Sequence, residues 1–378
     1  MLLIPFLYLH RLESLSSGET PDIMAEKLIT LIEFLEFRKS LAVLDARSER
    51  EFYQSHIPEA VNLPILNDAE REIVGTLYKQ QGSEKAVLKG FELVGPRFYE
   101  IQKQALALFP KKKILLYCWR GGMRSQIMSW LLGLVGFEVL RLKGGYKTYR
   151  TFTFETVRKP FAYLVIGGKT GTGKTEILQA LADKGEQVLD LEGIAQHKGS
   201  SFGGIGQKKQ PSVEQFENLL AEAIIKFDPS KTIWVEDESR RIGSVILPEG
   251  FYQQLDISPL IVISRTKEER IQHIKQQYAF LPKEELNKAV TRLKSKLGGL
   301  RTTQALADIA EDNHEAWIQN MLIYYDKSYE FDLIKRLRKS RTHIPLEGEA
   351  VNMACNILLN FKTHIINGNT GDQTHPVE

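Results

Sequence analysis

Two short glycine-containing segments of the sequence carry residue types suited to binding anions. The first, CWRGGMRS, begins at Cys118 after an apolar run, and the second, GGKTGTGKT, begins at Gly167 after another. Glycines let the backbone turn so that successive N–H groups point into one concavity, which suits a phosphate-like group. The sequence therefore predicts two anion-binding loops.

The first loop places a thiol among positive charges. Its glycine, basic and hydroxyl residues are Arg120, Gly121, Gly122, Arg124 and Ser125. The helix expected to begin near Arg124 adds its positive dipole end to the two guanidinium groups. Such surroundings favour a thiolate, so Cys118 is predicted to be a nucleophile held in an anion cradle. The alternative is a small buried cysteine followed by an ordinary turn.

Two reaction classes fit this loop. The five residues between Cys118 and Arg124 match the spacing of cysteine-dependent phosphatases, in which the cysteine becomes phosphorylated. In a sulfurtransferase, Cys118 would instead accept a sulfur or selenium atom and carry it as a persulfide or selenenyl sulfide. The loop alone leaves both classes open.

The second loop has the pattern of a phosphate-binding P-loop, with an apolar strand before it and a helix after it. Its backbone N–H groups would wrap a diphosphate or triphosphate, its lysine would neutralise the terminal phosphates, and its last threonine would hold Mg²⁺. The residues in these roles are Gly168, Gly171, Gly173, Lys174 and Thr175.

Acidic residues follow two later apolar runs that read as strands. Asp190 and Glu192 come after the first, and 236–238, the acidic sequence EDE, ends the second. Carboxylates at this place could hold Mg²⁺ or a water, and Glu236 and Asp237 are the candidates for a supporting role. The other interpretation is a solvated strand end neutralised by Arg240 and Arg241.

Short apolar runs alternate with helical spacing along most of the chain. Runs at 41–44 and before Cys118 read as buried strands, 69–109 has helical spacing, and the region from 266 to about 361 is mainly helical. Strands alternating with helices predict parallel sheets of the α/β class, with both loops at carboxyl ends of strands.

Composition indicates an ordinary globular protein. The 378 residues are 43% hydrophobic and 26% charged, and the net charge of +3 does not by itself indicate nucleic acid. Two cysteines make no disulfide framework, which favours the cytoplasm. The apolar start is shorter than the roughly 20 residues that span a bilayer, so no membrane role is expected, and Met24 is an alternative start. Between 265 and 301 basic residues outnumber acids, which fits a phosphate-binding face or a solvated helix face.

The segment LDARSEREFYQSHIPEAVNLP resembles the opening of the rhodanese family. The matching residues are Asp45, Arg47, Glu51, Phe52, His56, Ile57, Pro58, Ala60, Asn62 and Pro64. The resemblance implies a rhodanese-like parallel-sheet domain over 35–155, in which Asp45 and Arg47 support the site. A P-loop NTPase-like α/β domain is then expected over 156–265, a helical and partly basic region over 266–362, and a disordered tail over 363–378.

From about 35 to 330 the chain resembles the bacterial tRNA 2-selenouridine synthase family. The segments that carry this resemblance are LDARSEREF, EREIVGTLYKQ read with GFE at 90–92, CWRGGMRS, GGKTGTGKT, EGIAQHKGSSFG, VEDESRRIG and YYDKSYEF. The resemblance implies that selenium from selenophosphate replaces the 2-thio sulfur of the wobble uridine in tRNA. It also implies an S-geranylated intermediate made from geranyl diphosphate.

The two loops divide between these steps. Cys118 would receive or relay selenium, and the P-loop would grip the diphosphate of the prenyl donor, so no ATP requirement is expected. The implied partners are tRNA with wobble 2-thiouridine and a selenophosphate synthase; the oligomeric state is not indicated. The alternative function is an RNA or small-molecule kinase fused to a rhodanese-like phosphatase or sensor domain.

Overall fold

The computed structural model describes residues 27–335 and 340–366. The chain divides into two compact units, 1–152 and 153–378. The alternative start at Met24 and the part of the predicted tail beyond 366 lie outside the described residues.

The first unit is built on a five-stranded, fully parallel sheet. Its order is β1-β5-β4-β2-β3, so β4 is the central strand. The strands are β1 (Lys27–Ile29), β2 (Ala42–Asp45), β3 (Val61–Asn62), β4 (Lys113–Tyr117) and β5 (Glu138–Leu142). Alternate residues of β4 enter different apolar clusters, Ile114 and Leu116 one and Leu115 and Tyr117 the other. Because side chains alternate along a strand, both faces of this sheet are covered.

Seven helices of the first unit connect these strands in the described part of the chain. They are α1 (Leu31–Phe37), α2 (Glu49–Gln54), α3 (Asp68–Gln81), α4 (Ser83–Val94), α5 (Phe98–Leu108), α6 (Met123–Gly133) and α7 (Gly145–Thr156). The helical spacing over 69–109 becomes three helices. Gly82, with a φ of +89°, separates α3 from α4, and a 3₁₀ turn, Gly95–Arg97, separates α4 from α5.

The second unit has its own five-stranded parallel sheet, in the order β12-β11-β6-β8-β7. These strands are β6 (Tyr163–Gly167), β7 (Gln187–Leu189), β8 (Ile233–Glu236), β11 (Leu260–Ser264) and β12 (Arg341–Pro345). A short antiparallel pair is formed by β9 (Arg241–Ile242) and β10 (Val245–Ile246). The predicted α/β class with parallel sheets is confirmed for both units.

The helices of the second unit follow the same alternation and then form a helical region. They are α8 (Lys174–Asp183), α9 (Leu191–Ala195), α10 (Val213–Ile224), α11 (Glu249–Ile257), α12 (Lys267–Tyr278), α13 (Lys283–Arg292), α14 (Lys294–Leu297), α15 (Gly299–Ala310), α16 (His314–Lys335) and α17 (Val351–Ile366). No helix among the described residues is long and apolar enough to cross a membrane.

The region predicted to be helical over 266–362 also contains a strand. Arg341–Pro345, β12, pairs with β11 at the edge of the second sheet. Ile344 is the one buried side chain of this strand, so no apolar run marks it in the sequence. The same sheet thus takes strands from both sides of residue 266, and α17 continues past the predicted end at 362.

Candidate functional site

Cys118 directly follows β4, the central strand of the first sheet, and is buried. Its thiol donates to Ser125 Oγ at 3.2 Å, and the Ser125 hydroxyl donates to the Gly122 carbonyl at 2.9 Å. The buried Arg141 donates from Nη1 to the Gly121 carbonyl at 2.6 Å. The loop therefore curls around a thiol, a hydroxyl and a guanidinium group, and α6 begins directly after it, at Met123.

A second glycine turn holds this loop in place. The Tyr146 amide donates to the Cys118 carbonyl at 2.8 Å, and the Lys147 amide donates to the Trp119 carbonyl at 2.9 Å. A Cβ on Gly145 would lie 2.3 Å from the Cys118 carbonyl oxygen, so this approach of two backbones requires glycine. The start of α7 thus fixes the position of the Cys118 loop.

Arg124 is engaged by a carboxylate. Its Nη1 and Nη2 donate to the two carboxylate oxygens of Glu51, the latter at 3.2 Å. Glu51 is itself placed by the capping box of α2, in which it accepts from the Ser48 amide at 3.2 Å. Burial raises the pKa of Glu51, but the hydrogen bond and charge of Arg124 outweigh burial and hold that pKa below its usual value. Glu51 is therefore charged at neutral pH.

Asp45 and Arg47 form a fully buried ion pair behind the loop. Arg47 Nη2 bonds Asp45 Oδ2 at 2.6 Å and the Ser55 carbonyl at 2.7 Å. The guanidinium also lies 4.0 Å from the centre of the Tyr146 ring. Since Tyr146 holds the Cys118 carbonyl, this pair supports the loop from within the fold rather than facing a substrate.

A cavity of about 500 Å³ opens beside the Cys118 loop. Its walls come from α3, α4, the loop and the start of α6, and most of them are apolar. Cys118, Arg120 and Arg124 are among the lining residues. A ligand in this cavity would contact the thiol and two guanidinium groups together.

In the second unit the P-loop follows β6, again the central strand of a parallel sheet. Gly168, Gly171 and Gly173 all have positive φ, at +153°, +86° and +79°, where other residues are strained. Lys174, the first residue of α8, donates to the Gly168 carbonyl at 3.0 Å. The loop thus turns at its glycines, and the Lys174 side chain lies against its backbone.

Three carboxylates gather next to this loop. One oxygen each of Glu192, Glu236 and Glu238 lies within 4.8 Å of the others. Burial, followed by the charges of Glu192 and Glu238, raises the pKa of Glu236 well above its usual value. Burial also raises the pKa of Glu192 to about 7, despite the nearby charge of Lys174, and Thr175 hydrogen-bonds to Glu192. Carboxylate oxygens grouped in this way fit a divalent cation.

Comparison with known proteins places both units. The family model for the tRNA 2-selenouridine synthase AAA domain matches residues 161–354, and the model for the rhodanese-like domain matches residues 30–151. The tRNA 2-selenouridine synthase of Pseudomonas fluorescens is 36% identical, over 78% of this chain and 89% of that protein. The chain belongs to the tRNA 2-selenouridine synthase family.

Other members of this family match to a similar extent. The tRNA 2-selenouridine synthase of Pseudomonas putida strain GB-1 is 34% identical, over 84% of this chain and 93% of that protein. The enzyme of the same name from a Sulfurovum species is 35% identical, over 77% of this chain and 88% of that protein. The predicted resemblance to the tRNA 2-selenouridine synthase family is thereby confirmed, as is its combination of rhodanese-like and P-loop-type domains.

The structure brings most of the predicted loop residues together and adds two contacts that the sequence did not indicate. Cys118, Gly121, Gly122 and Ser125 form one compact loop. The guanidinium of Arg124 forms an ion pair with Glu51. A different arginine, Arg141, contacts the back of the loop.

Of the two predicted supporting carboxylates, one lies in the acidic cluster and the other does not. Glu236 joins the carboxylate cluster, but Asp237 is outside it; the Asp237 amide donates to the Ile166 carbonyl at 2.8 Å. Arg240 pairs with Glu249 in the described structure, which disagrees with the interpretation that Arg240 neutralises the strand end.

Much of the basic stretch over 265–301 is paired with carboxylates. Arg270 and Lys275 contact Asp326 and Glu315, and both Lys283 and Lys288 also have acidic partners. Paired cations attract a phosphate backbone less than free ones. This favours the interpretation of a solvated helix face over much of the stretch.

Sequence reasoning missed several residues that build the site. Arg141 sits inside a strand and no motif marks it, and the glycines at 144 and 145 indicate only a turn. Glu51 matches the rhodanese family, but its partner Arg124 is 73 residues away. The signal available in the sequence was the S-x-x-E capping pattern at 48–51, which fixes the direction of the Glu51 side chain.

Proposed function

We propose that this chain is a tRNA 2-selenouridine synthase that uses geranyl diphosphate and selenophosphate. It would first attach a geranyl group to the 2-thio sulfur of the wobble uridine and then replace that sulfur by selenium. The supporting observation is that one chain of this family has two loops after central strands, one with Cys118 and one with Lys174. Each loop suits one of the two steps.

The P-loop suits the geranyl step. The sulfur of 2-thiouridine attacks the first carbon of geranyl diphosphate, a carbon–sulfur bond forms, and the carbon–oxygen bond to the diphosphate breaks. Pyrophosphate leaves with the electron pair, and the loop amides and Lys174 stabilise its developing charge. Because the donor brings its own leaving group, the step needs no ATP hydrolysis.

The carboxylate cluster fits Mg²⁺ near this loop. Hard oxygen ligands are what Mg²⁺ prefers, and the raised pKa of Glu236 reflects a buried carboxylate in need of a counter-charge. Glu192, Glu236 and Glu238 would hold the ion with the Thr175 hydroxyl nearby. A bound Mg²⁺ would supply charge neutralisation for the diphosphate.

The Cys118 loop suits the selenium step. The loop amides with Arg120 hold the anionic selenophosphate beside Cys118, which positions its selenium. That selenium attacks C2 of the uridine: a carbon–selenium bond forms, the carbon–sulfur bond breaks, and the sulfur leaves as geranyl thiol. Water then breaks the phosphorus–selenium bond, and phosphate leaves. We infer a cytoplasmic reaction, with selenophosphate supplied by a selenophosphate synthase and tRNA as the substrate.

A kinase joined to a phosphatase remains the second candidate, because the P-loop and the acidic cluster also suit a nucleotide and Mg²⁺. The first unit argues against the phosphatase part. An arginine at this spacing is expected to hold the phosphoryl oxygens, but Arg124 is bound to Glu51 through both of its terminal nitrogens.

One experiment tests the proposal and its rival. The purified chain is incubated, without ATP, with an anticodon oligonucleotide containing 2-thiouridine, geranyl diphosphate, selenophosphate and Mg²⁺, and nucleosides are measured by mass spectrometry. We expect S-geranyl-2-thiouridine and then 2-selenouridine. Cys118→Ser should stop at the geranylated nucleoside, and Lys174→Ala should form neither product.

The controls separate the outcomes. Cys355→Ala removes the other cysteine, which is buried in the second unit, and should behave as wild type. Equal 2-selenouridine from Cys118→Ser would overturn the role of the thiol. Geranyl transfer that appears only with ATP would overturn the ATP-independent step, and phosphate transfer with unmodified RNA would support the kinase.

A further inference from the structure

The cavity beside Cys118 has a shape and lining that neither anion loop explains. It measures about 500 Å³, within the range of small-molecule sites, and its apolar walls include Val74, Val87, Phe91 and Ile127. Selenophosphate is a small anion and gains nothing from apolar walls. The cavity therefore suits a ligand with a hydrocarbon part.

We propose that this cavity binds the geranyl chain of the S-geranylated uridine while selenium replaces the sulfur at Cys118. The inference rests on the proposed function, because it takes the geranylated nucleoside as the intermediate. Beyond the proposed function, the inference assigns the hydrocarbon-binding site to the rhodanese-like unit and not to the P-loop unit.

The charges around the cavity fit the rest of that ligand. Lys79 and Arg120 are exposed and lie along its lining, and Arg71, also exposed there, lies 3.9 Å from Glu51. A second, polar cavity of about 330 Å³ shares Arg71 and Lys79 with it, on the side of α2, and its lining also contains Glu51, Asp68 and Glu72. Apolar walls beside exposed cations match an apolar chain attached to a nucleotide, whose phosphates are anionic.

Exposed apolar side chains mark the same place. Tyr78 is 63% exposed, Phe91 41% and Met123 49%, and all three line the cavity. Clustered exposed apolar side chains indicate a binding surface, whereas single ones need no explanation. Cys118 lies among these lining residues, so a chain bound here would keep the attached sulfur close to the thiol.

Size argues against the competing location in the second unit. A cavity near the P-loop is lined by Thr170 and by aromatic side chains such as Phe202, Tyr278 and Trp317. Its volume of about 30 Å³ corresponds to roughly one water molecule. A ten-carbon chain would need that cavity to open, whereas the cavity at Cys118 already has room.

The test compares binding of two synthetic anticodon oligonucleotides to the full chain. One carries S-geranyl-2-thiouridine and the other S-methyl-2-thiouridine, so they differ only in the hydrocarbon. We expect the geranyl oligonucleotide to bind wild type at least about tenfold more tightly, and to protect Cys118 from alkylation more strongly at saturation.

Two variants locate the chain, each with a matched control on the same helix. Val87→Trp fills the cavity and should reduce the preference for the geranyl oligonucleotide to less than about twofold. Phe91→Ala removes an exposed apolar contact without disturbing the core and should lower that preference about threefold. Leu88 is exposed on α4 and does not line the cavity, so Leu88→Trp and Leu88→Ala should retain the full preference.

Three results would overturn the inference. The first is that wild type shows no preference for the geranyl oligonucleotide. The second is that Val87→Trp and Phe91→Ala keep the wild-type preference. The third is that Phe202→Ala, in the second unit, abolishes the preference instead. Geranyl transfer by wild type is measured separately. If that transfer fails while the preference survives, the proposed function is wrong and the hydrocarbon site stands.

Discussion

Replacing Gly145 by alanine should disable the Cys118 loop without touching any residue that faces a ligand. Gly145 has a φ of +60°, and a Cβ there would lie 2.3 Å from the Cys118 carbonyl oxygen and 2.5 Å from the Gly121 nitrogen. Carbon in van der Waals contact with another heavy atom needs about 3.5 Å. The loop must therefore move by about 1 Å.

Backbone strain at Gly145 and displacement of the Cys118 loop should affect different measurements, stability in the first case and reaction rate in the second. Left-handed φ costs a non-glycine residue about 1–2 kcal/mol, which lowers Tm by roughly 2–4 °C per kcal/mol in a unit of this size. A displacement of about 1 Å at a reacting group can cost about 100-fold in rate. We therefore expect Gly145→Ala to lose about 100-fold in selenium transfer and to change the alkylation rate of Cys118.

Gly136→Ala is the matched control in the same unit. Gly136 has a φ of +87°, but the nearest atom to its Cβ would be Lys112 Nζ at 3.9 Å, so this variant has the strain without the clash. Both variants should lose Tm, and only Gly145→Ala should lose selenium transfer. Equal alkylation and transfer rates in the two variants would refute the role of the turn.

Three further expectations follow from the buried charges and the P-loop. Arg47→Met leaves Asp45 buried without its partner and should lower the unfolding free energy by about 3–5 kcal/mol in urea titrations, and adding Asp45→Asn should recover most of it. Lys174→Ala should slow geranyl transfer at least about 100-fold while alkylation of Cys118 is unchanged. Burial and neighbouring carboxylates raise the pKa of Glu236, so this group costs no stability below about pH 4.5 and destabilises the fold increasingly as pH rises toward the raised value. In Glu236→Gln that destabilisation should shrink, as Tm measured at pH 5 and pH 8 would show.

Local patterns in the sequence were sufficient for most of the fold. Strands such as β4 and β6 are fully parallel and buried, so they appear as continuous apolar runs that a reader can find without a structure. The edge strand β12 has one buried residue and one neighbouring strand, so its sequence carries no comparable run. Edge position, and not an unusual composition, explains why it was missed.

The site was predictable where its chemistry is local in sequence. The arrangement is local for Cys118, Ser125 and the P-loop glycines, which contact residues close to them in the sequence. Spacing alone therefore indicates that they form loops. The partner of Arg124 is 73 residues away, and the arginine that contacts the loop lies on β5. Contacts of this separation depend on how strands pair, which spacing in one sequence does not contain.

The two loops occupy equivalent places in their sheets but have side chains of opposite charge next to them. Both follow a central strand, where neighbouring strands on each side can deliver side chains to the loop. Beside the P-loop, β8 delivers a buried carboxylate, Glu236, which favours a cation and through it a polyanion. Beside Cys118, β5 delivers a buried guanidinium, Arg141, which donates to the Gly121 carbonyl of the loop. Under the proposed function, the carboxylate beside the P-loop would favour a metal-bound diphosphate, and the guanidinium beside the Cys118 loop would favour the anionic selenium donor.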